Sequence, residues 1–488
     1  MEQTDKEVAG GTVGTPGRMN AGDTGYGGVP GGKQASSAGD SEAAPLLVPE
    51  PEADPAKHWK PMSKPELEAA AGGPGWRKMR CYAVVLFWLV WVAMLTISIV
   101  IIVMSPHPVA APLKWWQKSL FYRLQPSLLT GAQAKGSGGI NAICEQLPYL
   151  RSLGIGALIL EGLFDEEVFP SNLNETNERF GTLPQIQHLI AESNKTGLKM
   201  LLDLCELNLL GPHDLSRNTA TIQHALRFWL EQGAAGFVIC DTDAAYSVKT
   251  LMGWRDVFKE FNSDHEERIM VVKQTGDVLP LLNTTSKNVK LVDVVMKSIL
   301  PSSRHHLSAH EVAAAIKTQL QTREEDIWPS WTIGGKASHN LKKLLLVLMM
   351  TLPGSPAVQH NYMIDQTQDS KTNSTVALFS SLSDSRAREE ALLYGSFTFL
   401  PYNTSNSSSN STLSPSSHPM LAFLRSWGCV HLLILLNAGP ELHSLDPAWA
   451  PSLPEHGVFV TSTGMDRMGS TPLNALELQP YEAVVIKF

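Results

Sequence analysis

The chain has 488 residues, of which 43% are hydrophobic, and a formal net charge of -8 at pH 7. That length is enough for a large domain with smaller segments attached to it. The mildly acidic balance, with no stripe of Lys and Arg among aromatic residues, excludes a nucleic-acid-binding protein. Five cysteines are too few for a scaffold built on disulfides.

The N-terminal part divides into a tail and a short helix. Residues 1–62 are rich in Gly, Ala, Pro and Ser, which predicts a disordered tail with too few apolar residues to fold. Residues 63–80 are predicted to form a juxtamembrane helix and a basic flank, with Ser63 as N-cap, Glu66 completing a capping box and Gly72 near the end.

One segment is apolar enough to cross a membrane. The stretch "YAVVLFWLVWVAMLTISIVIIVM", within residues 81–104, contains no charged residue. As a helix it reaches roughly 34 Å at about 1.5 Å per residue, which spans a hydrocarbon core of about 30 Å. Basic residues flank only its N-terminal side, at Arg77, Lys78 and Arg80. The positive-inside rule therefore predicts a single-pass type II protein with a cytosolic N-terminus.

Glycosylation sequons give a second indication of this orientation. Every N-x-S/T sequence follows the apolar span, and the asparagines are Asn174, Asn194, Asn283, Asn373, Asn403, Asn406 and Asn410. Because such sequons accept glycan on exported segments, we expect residues 105–488 to form a glycosylated extracellular domain.

The extracellular part shows two kinds of pattern. In residues 105–394, strand-like runs that are apolar throughout alternate with helical patterns, close to eight times. This predicts an α/β fold, a (β/α)8 TIM-type barrel of parallel strands covered by helices. Residues 395–488 contain short strands such as "VHLLILLNAG" and "EAVVIKF" between turns, which predicts a C-terminal antiparallel β-sandwich.

Several ordered segments carry a family resemblance. "LKWWQKSLFYRLQP", "LPYLRSLGIGALILEGLF", "FWLEQGAAGFVICD" and "LMMTLPGSPAV" resemble the landmarks of the α-amylase-type glycoside hydrolases. The span, the tail and "SKPELEAAAGGPGW" are similar to those of the heavy subunits of heteromeric amino-acid transporters. The chain also lacks room for the long insertion that the enzymes carry after strand three. The resemblance implies a plasma-membrane protein that escorts a multi-span light subunit, since one span cannot enclose a solute path.

The catalytic positions of that enzyme family are altered. Retaining glycosidases need two carboxyl groups about 5 to 5.5 Å apart. The resemblance places the nucleophile at Cys240, the acid/base at Gln274 and the third carboxylate at Ala337, none of which is acidic. Asp241 follows Cys240, but strand alternation predicts that its side chain points away from the interior. We therefore predict no catalytic residue, no cofactor and no metal site.

The resemblance also bears on partners. It implies an interchain disulfide from a cysteine just outside the membrane, but Pro108 stands at that position. We expect the light subunit to associate without a covalent bond, with Trp88 and Trp91 as candidate contacts in the bilayer; lipid contact is the open alternative for both. Integrin partners are implied by the resemblance as well.

Two alternative functions and the cysteine pairing stay open at this point. The chain could be a membrane-anchored receptor or adhesion protein, or a glycosidase with a rearranged site. Cys144, Cys205, Cys240 and Cys429 lie in an oxidising compartment, and the sequence does not determine their pairing. Cys205 and Cys240 fall at the ends of adjacent predicted strands, where we expect free buried thiols rather than a bond.

Overall fold

The computed structural model describes residues 61–104, 110–126, 138–164, 181–205, 215–241, 248–263, 266–275, 291–300, 309–321, 327–334, 339–363, 372–400, 420–445 and 453–488. The chain divides into two compact units, Met1–Met104 and Ser105–Phe488.

The described residues of the first unit form the helices α1 (Lys64–Ala71) and α2 (Pro74–Met104). A capping box begins α1, where Glu66 accepts hydrogen bonds from the Ser63 backbone N–H at 3.0 Å and the Ser63 hydroxyl at 2.9 Å. Helix α2 joins the basic flank and the apolar span without a break, and none of its residues is buried. Among the described residues it is the one helix long and apolar enough to cross a membrane, judged by length and composition.

The second unit begins with a closed barrel of eight parallel strands, hydrogen-bonded in the order β1 to β8. Residue Phe121 of β1 pairs with Ala357 of β8 and closes the ring. The strands are β1 (Leu120–Leu124), β2 (Ile155–Leu160), β3 (Lys199–Asp203), β4 (Gly236–Cys240), β5 (Ile269–Gln274), β6 (Val294–Ser298), β7 (Trp328–Thr332) and β8 (Ser355–Gln359). The predicted (β/α)8 barrel is confirmed.

Helices connect and surround these strands. They are α3 (Trp115–Lys118), α4 (Gly138–Ser152), α5 (Leu183–Lys195), α6 (Leu215–Glu231), α7 (Val248–Phe261), α8 (Ala309–Gln321), α9 (His339–Thr351), α10 (His360–Met363), α11 (Thr372–Arg388) and α12 (Glu390–Leu393). Because α6 begins soon after β3 ends, a long insertion has no room there. Helices α11 and α12 were not predicted from the sequence.

Helix α5 illustrates why these segments are helical. Gln185 accepts a hydrogen bond from the Thr182 backbone N–H at 2.9 Å, which satisfies a donor at the helix start. Ile186, Leu189 and Ile190 then recur at helical spacing and are buried on one face. The helix covers the barrel with that face.

The barrel strands are apolar throughout because both of their faces are buried. Alternate residues fill the interior, where the cluster comprises Phe121, Ala157, Ile159, Leu201, Val238, Ile269, Val271, Val294, Met296 and Ala357, with Trp116. The intervening residues, such as Phe237 and Val272, pack outward in the larger cluster that includes the helices.

The C-terminal part is antiparallel, as predicted. Its strands are β9 (Ser396–Phe399), β10 (Met420–Trp427), β11 (Val430–Asn437), β12 (His443–Ser444), β13 (His456–Ser462), β14 (Ser470–Pro472), β15 (Glu477–Leu478) and β16 (Ala483–Lys487). Six form one sheet, ordered β14-β13-β16-β11-β10-β9, and β12 pairs with β15. One face of the larger sheet packs with Leu445 and Leu478 beside the small sheet, so the second layer of the sandwich is short.

The other face of the larger sheet packs against the barrel helices. Phe423, Ile434 and Val485 belong to the same buried cluster as the residues of α9 and α11. The boundary predicted between residues 394 and 395 falls between α12 and β9, and both sides of it belong to one compact unit.

Two buried arginines stabilise this junction. Arg386 donates to the Met350 carbonyl at 2.9 Å, and Arg425 donates to the carbonyls of Thr351 at 2.8 Å and Leu392 at 2.9 Å. Burial lowers the pKa of Arg386 to about 10 and that of Arg425 to about 9, because the charged form loses its water. The carbonyls at the end of α9 have no partner within the helix, so these bonds offset the cost of burying the cations.

Candidate functional site

The carboxyl ends of the eight strands meet at one mouth of the barrel, where (β/α)8 proteins place their functional side chains. The interior face becomes polar there. For each of β1 to β5, the residue two positions after an interior apolar residue has a polar side chain, near or just after the end of the strand. These residues are Arg123, Glu161, Asp203, Cys240 and Lys273, and the first three are buried.

A disulfide occupies position 240, where the family resemblance predicts the nucleophile. Cys240 is bonded to Cys205, and their Cα atoms are 4.8 Å apart, a separation that disulfides bridge without backbone movement. The expectation of free thiols here was wrong. The register explains the bond: Asp203 of β3 pairs with Val238 of β4, so Cys205 lies opposite Cys240 two residues further on.

Asp241 is engaged in hydrogen bonds between two strands. Its carboxylate accepts hydrogen bonds from the Thr275 backbone N–H and hydroxyl, each at 2.8 Å, and its own N–H donates to the Lys273 carbonyl at 3.0 Å. It is 7% exposed. Asp241 therefore joins the ends of β4 and β5, and the next interior position after Val238 is Cys240, as strand alternation predicts.

The interior position on β5 is Lys273 rather than Gln274. Val271 lies in the barrel interior, whereas Val272 packs outward, so alternation assigns Lys273 to the interior and Gln274 to the outer face. The register agrees, because Cys240 pairs with Lys273. The structure thus does not bring Gln274 together with Cys240 on one face.

An ion pair fills the neighbouring part of the mouth. Arg123 Nε donates to Glu161 Oε1 at 2.6 Å, and its Nη1 donates to the Thr332 hydroxyl at 3.3 Å. Lys273 Nζ lies 4.0 Å from the same Glu161 oxygen. Arg123 and Glu161 are both buried. The carboxylate of Glu161 lies close to two cations, Arg123 and Lys273.

Asp203 is the other carboxyl group of this layer. Its Oδ1 accepts a hydrogen bond from the Cys205 N–H at 2.8 Å. Burial raises the pKa of Asp203 to about 6, although nearby Lys273 and the bond from Cys205 act in the opposite direction. Among the described residues of this layer, Glu161 is therefore a paired carboxylate, and Asp203 is a carboxyl group that takes up a proton at mildly acidic pH.

Sequence reasoning missed Arg123, Glu161 and Lys273. The signal was present, since counting in steps of two from Phe121, Ile159 and Val271 reaches each of them. No group of three or more His, Cys, Asp or Glu residues is placed to hold a metal ion within the part of the chain that the structure describes.

Several predicted site residues lie outside the described residues. These are Pro108, Ala337 and the asparagines Asn174, Asn283, Asn403, Asn406 and Asn410. Asn373 lies in helix α11. Asn194 is exposed in the last turn of α5, where its side-chain amide donates to the Gly233 carbonyl at 3.3 Å.

The two tryptophans of the apolar helix form a pair. Trp88 and Trp91 meet edge to face, with ring centroids 5.6 Å apart. Their side chains are 56% and 50% exposed within the first unit. Phe87 extends this aromatic group, with its ring centroid 6.2 Å from that of Trp88.

Comparison with solved structures supports the fold class. The crystal structure of trehalulose synthase MutB from Pseudomonas mesoacidophila MX-45 is similar with a TM-score of 0.58 and 14% identity, over 78% of this chain and 100% of that one. A family model described as the alpha amylase catalytic domain matches residues 124–209. The second unit therefore has the barrel fold of the α-amylase type.

Comparison with named proteins is more specific. The amino acid transporter heavy chain SLC3A2 of Oryctolagus cuniculus is 28% identical in an alignment that covers 91% of this chain and 90% of that protein. The protein of the same name from Rattus norvegicus is 25% identical over 93% of this chain and 95% of its own length. A family model described as the solute carrier family 3 member 2 N-terminus matches residues 51–122. By these matches the chain is a 4F2 heavy chain-like protein.

The disulfide predicts a thiol count. All five cysteines lie in the described residues, and Cys81, Cys144 and Cys429 are free. Alkylating the unfolded full-length chain should label three thiols before reduction and five after it. Replacing both Cys205 and Cys240 by Ala should lower the free energy of unfolding by about 3 to 4 kcal/mol, since the bond closes a long loop. Cys429→Ala is the control and should change stability little; five thiols labelled without reduction would contradict the bond.

The pKa of Asp203 predicts a pH dependence. The folded chain keeps this proton up to about pH 6, whereas the unfolded chain releases it near pH 4, so the free energy of unfolding falls as pH rises between these values. The Asp203→Asn variant has no carboxyl group at this position, so this fall in the free energy of unfolding should be absent from it. The stability of the variant relative to the parent should increase by up to about 3 kcal/mol from pH 4 to pH 7 in chemical unfolding.

The exposed Asp256→Asn provides the control for that experiment. Its stability relative to the parent should show little change over the same pH range, because Asp256 lies at the surface. If the difference in stability between Asp203→Asn and the parent did not change with pH, a proton held by Asp203 in the folded chain would be refuted.

Proposed function

We propose that this chain is the non-catalytic heavy subunit of a heteromeric amino-acid transporter, which escorts and stabilises a multi-span light subunit at the plasma membrane. The observation that carries the proposal is the match to named heavy chains over about nine-tenths of both sequences. The described residues contain one helix suited to cross a membrane. Because one helix cannot enclose a solute path, transport belongs to the partner.

The mouth of the barrel supports the non-catalytic part of the proposal. A disulfide sulfur at Cys240 can neither attack an anomeric carbon nor accept a proton. Lys273 contributes a cation on the adjacent strand, where a carboxyl acid/base would be needed. The chemistry of a retaining glycosidase is therefore not assembled at these positions.

The topology in this proposal is type II. Arg77, Lys78 and Arg80 precede the apolar part of α2, and the positive-inside rule favours an N-terminus in the cytosol. The barrel and the sheets are then extracellular, where the sequons receive glycan; Asn194 lies on an exposed helix face.

Association with the light subunit is non-covalent in this proposal, because Pro108 replaces the cysteine that the resemblance implies. Trp88 and Trp91 supply a rigid aromatic surface on α2 for packing within the bilayer. Integrin-type partners, which the resemblance implies, are compatible with this arrangement, so a receptor or adhesion role can coexist with it.

A rearranged glycosidase is the second candidate, favoured by one observation. Glu161 and Asp203 follow adjacent strands on the interior face, and the raised pKa of Asp203 is in the direction that a general acid requires. Glu161, however, is held by Arg123 at 2.6 Å. A carboxylate in such a pair is a poor nucleophile, so we rank this candidate second.

Co-purification tests the heavy-subunit role. The full-length chain, isolated from cells in mild detergent, should bring down a multi-span amino-acid exchanger that runs free of it on a non-reducing gel. Replacing Trp88 and Trp91 by Ala should reduce recovery of the exchanger, whereas replacing Leu86 and Leu89, on other faces of α2, should have a smaller effect. An exchanger that matures to the cell surface equally well without this chain would refute the escort role.

A hydrolysis assay tests the second candidate. The purified full-length chain should release no sugar from α-linked oligosaccharides between pH 5 and 7. Sugar release that is abolished by Asp203→Asn and by Glu161→Gln, but retained in the exposed variant Glu260→Gln, would establish the rearranged site and overturn the non-catalytic proposal.

A further inference from the structure

The basic flank of the apolar span is part of the span's own helix. Helix α2 runs from Pro74 to Met104 as 31 residues, about 46 Å at about 1.5 Å per residue. A hydrocarbon core is about 30 Å thick, so the helix extends beyond it. The charges before Cys81 are therefore held rigidly at the depth of the lipid headgroups.

Helical geometry places these charges on different faces. At 3.6 residues per turn, Trp76, Arg77 and Arg80 fall within an arc of about 100°, whereas Lys78 points about 100° or more away from both arginines. Residues three apart have Cβ atoms about 5 to 6 Å from each other, so the two guanidinium groups can reach the same ligand. All of these side chains are exposed.

The charge of this face is not balanced within the helix. Helix α2 has no acidic residue. Of the two glutamates of α1, Glu66 accepts hydrogen bonds from Ser63, and Glu68 lies in that separate helix, before the start of α2. A pair of guanidinium groups offers several N–H donors in fixed forks, which suit an oxyanion with more than one terminal oxygen. Trp76, 56% exposed, adds an aromatic ring of the kind found at the membrane interface.

We propose that Arg77 and Arg80 together bind the phosphomonoester headgroup of an anionic lipid, with Trp76 lying against the lipid beside them. A phosphomonoester carries about -1.5 to -2 charges and three terminal oxygens, enough to accept hydrogen bonds from both arginines. In the type II orientation this lipid belongs to the cytosolic leaflet, which is the anionic one. The site depends on α2 spanning the membrane, and it is independent of the light subunit.

The test compares variants that each remove one positive charge. The full-length chain in neutral detergent micelles is titrated with dioctanoyl phosphatidylinositol 4-phosphate, and the bound fraction is measured by native mass spectrometry. Arg77→Gln and Arg80→Gln should each weaken binding at least fivefold, whereas Lys78→Gln should weaken it less than twofold. Circular dichroism checks that the helix content is unchanged.

The alternatives give different results. An equal loss in all three variants would mean diffuse attraction between charges, and absence of binding would mean no site; either overturns the proposal. Dioctanoyl phosphatidylserine should bind at least fivefold more weakly, and inositol 1,4-bisphosphate without acyl chains should not compete at equal concentration. Equal binding of phosphatidylserine, or full competition by the soluble phosphate, would contradict a phosphomonoester lipid. None of these results alters the co-purification test of the heavy-subunit role.

Discussion

The closure of β8 onto β1 is the constraint on which the rest of the second unit depends. A closed ring has no free edge, and it forces each strand to direct alternate residues inward. Once Phe121 and Ala357 are paired, the interior position on every strand is fixed. The same parity that fills the barrel with apolar side chains brings Arg123, Glu161 and Lys273 together at its mouth. The polar layer is thus a consequence of the same geometry as the core.

Buried cations are satisfied in two different ways in this unit. At the mouth, Arg123 meets the carboxylate of Glu161 in a buried ion pair. At the junction with the C-terminal sheet, Arg386 and Arg425 instead meet main-chain carbonyls near the end of α9. The second solution uses oxygen atoms that the helix leaves without donors. These hydrogen bonds also hold the C-terminal sheet against the barrel, because they would break if the sheet and α9 moved apart.

The sequence was sufficient for the eight strands and most helices, because most strand residues are apolar on both faces and most long helices have a periodic apolar stripe. It was insufficient for β12, β14 and β15, which are too short to show alternation. Helix α11 was missed because its buried side chains include Ser383, Ser385 and Arg386, so its apolar stripe is incomplete. The bond from Cys205 to Cys240 required the register between two strands, which a pattern along one strand cannot supply. The acid/base position was predicted at Gln274, whereas the interior residue of β5 is Lys273. A shift of one residue along a strand moves the side chain to the other face of the sheet.

The bond between Cys205 and Cys240 also bears on how this barrel can change over generations. A single substitution that put an aspartate at position 240 would leave Cys205 as an unpaired thiol. It would also remove a cross-link between β3 and β4 at the same step. An acidic side chain at the end of β4 is therefore incompatible with this cross-link. The disulfide couples any such substitution at position 240 to the stability of the barrel.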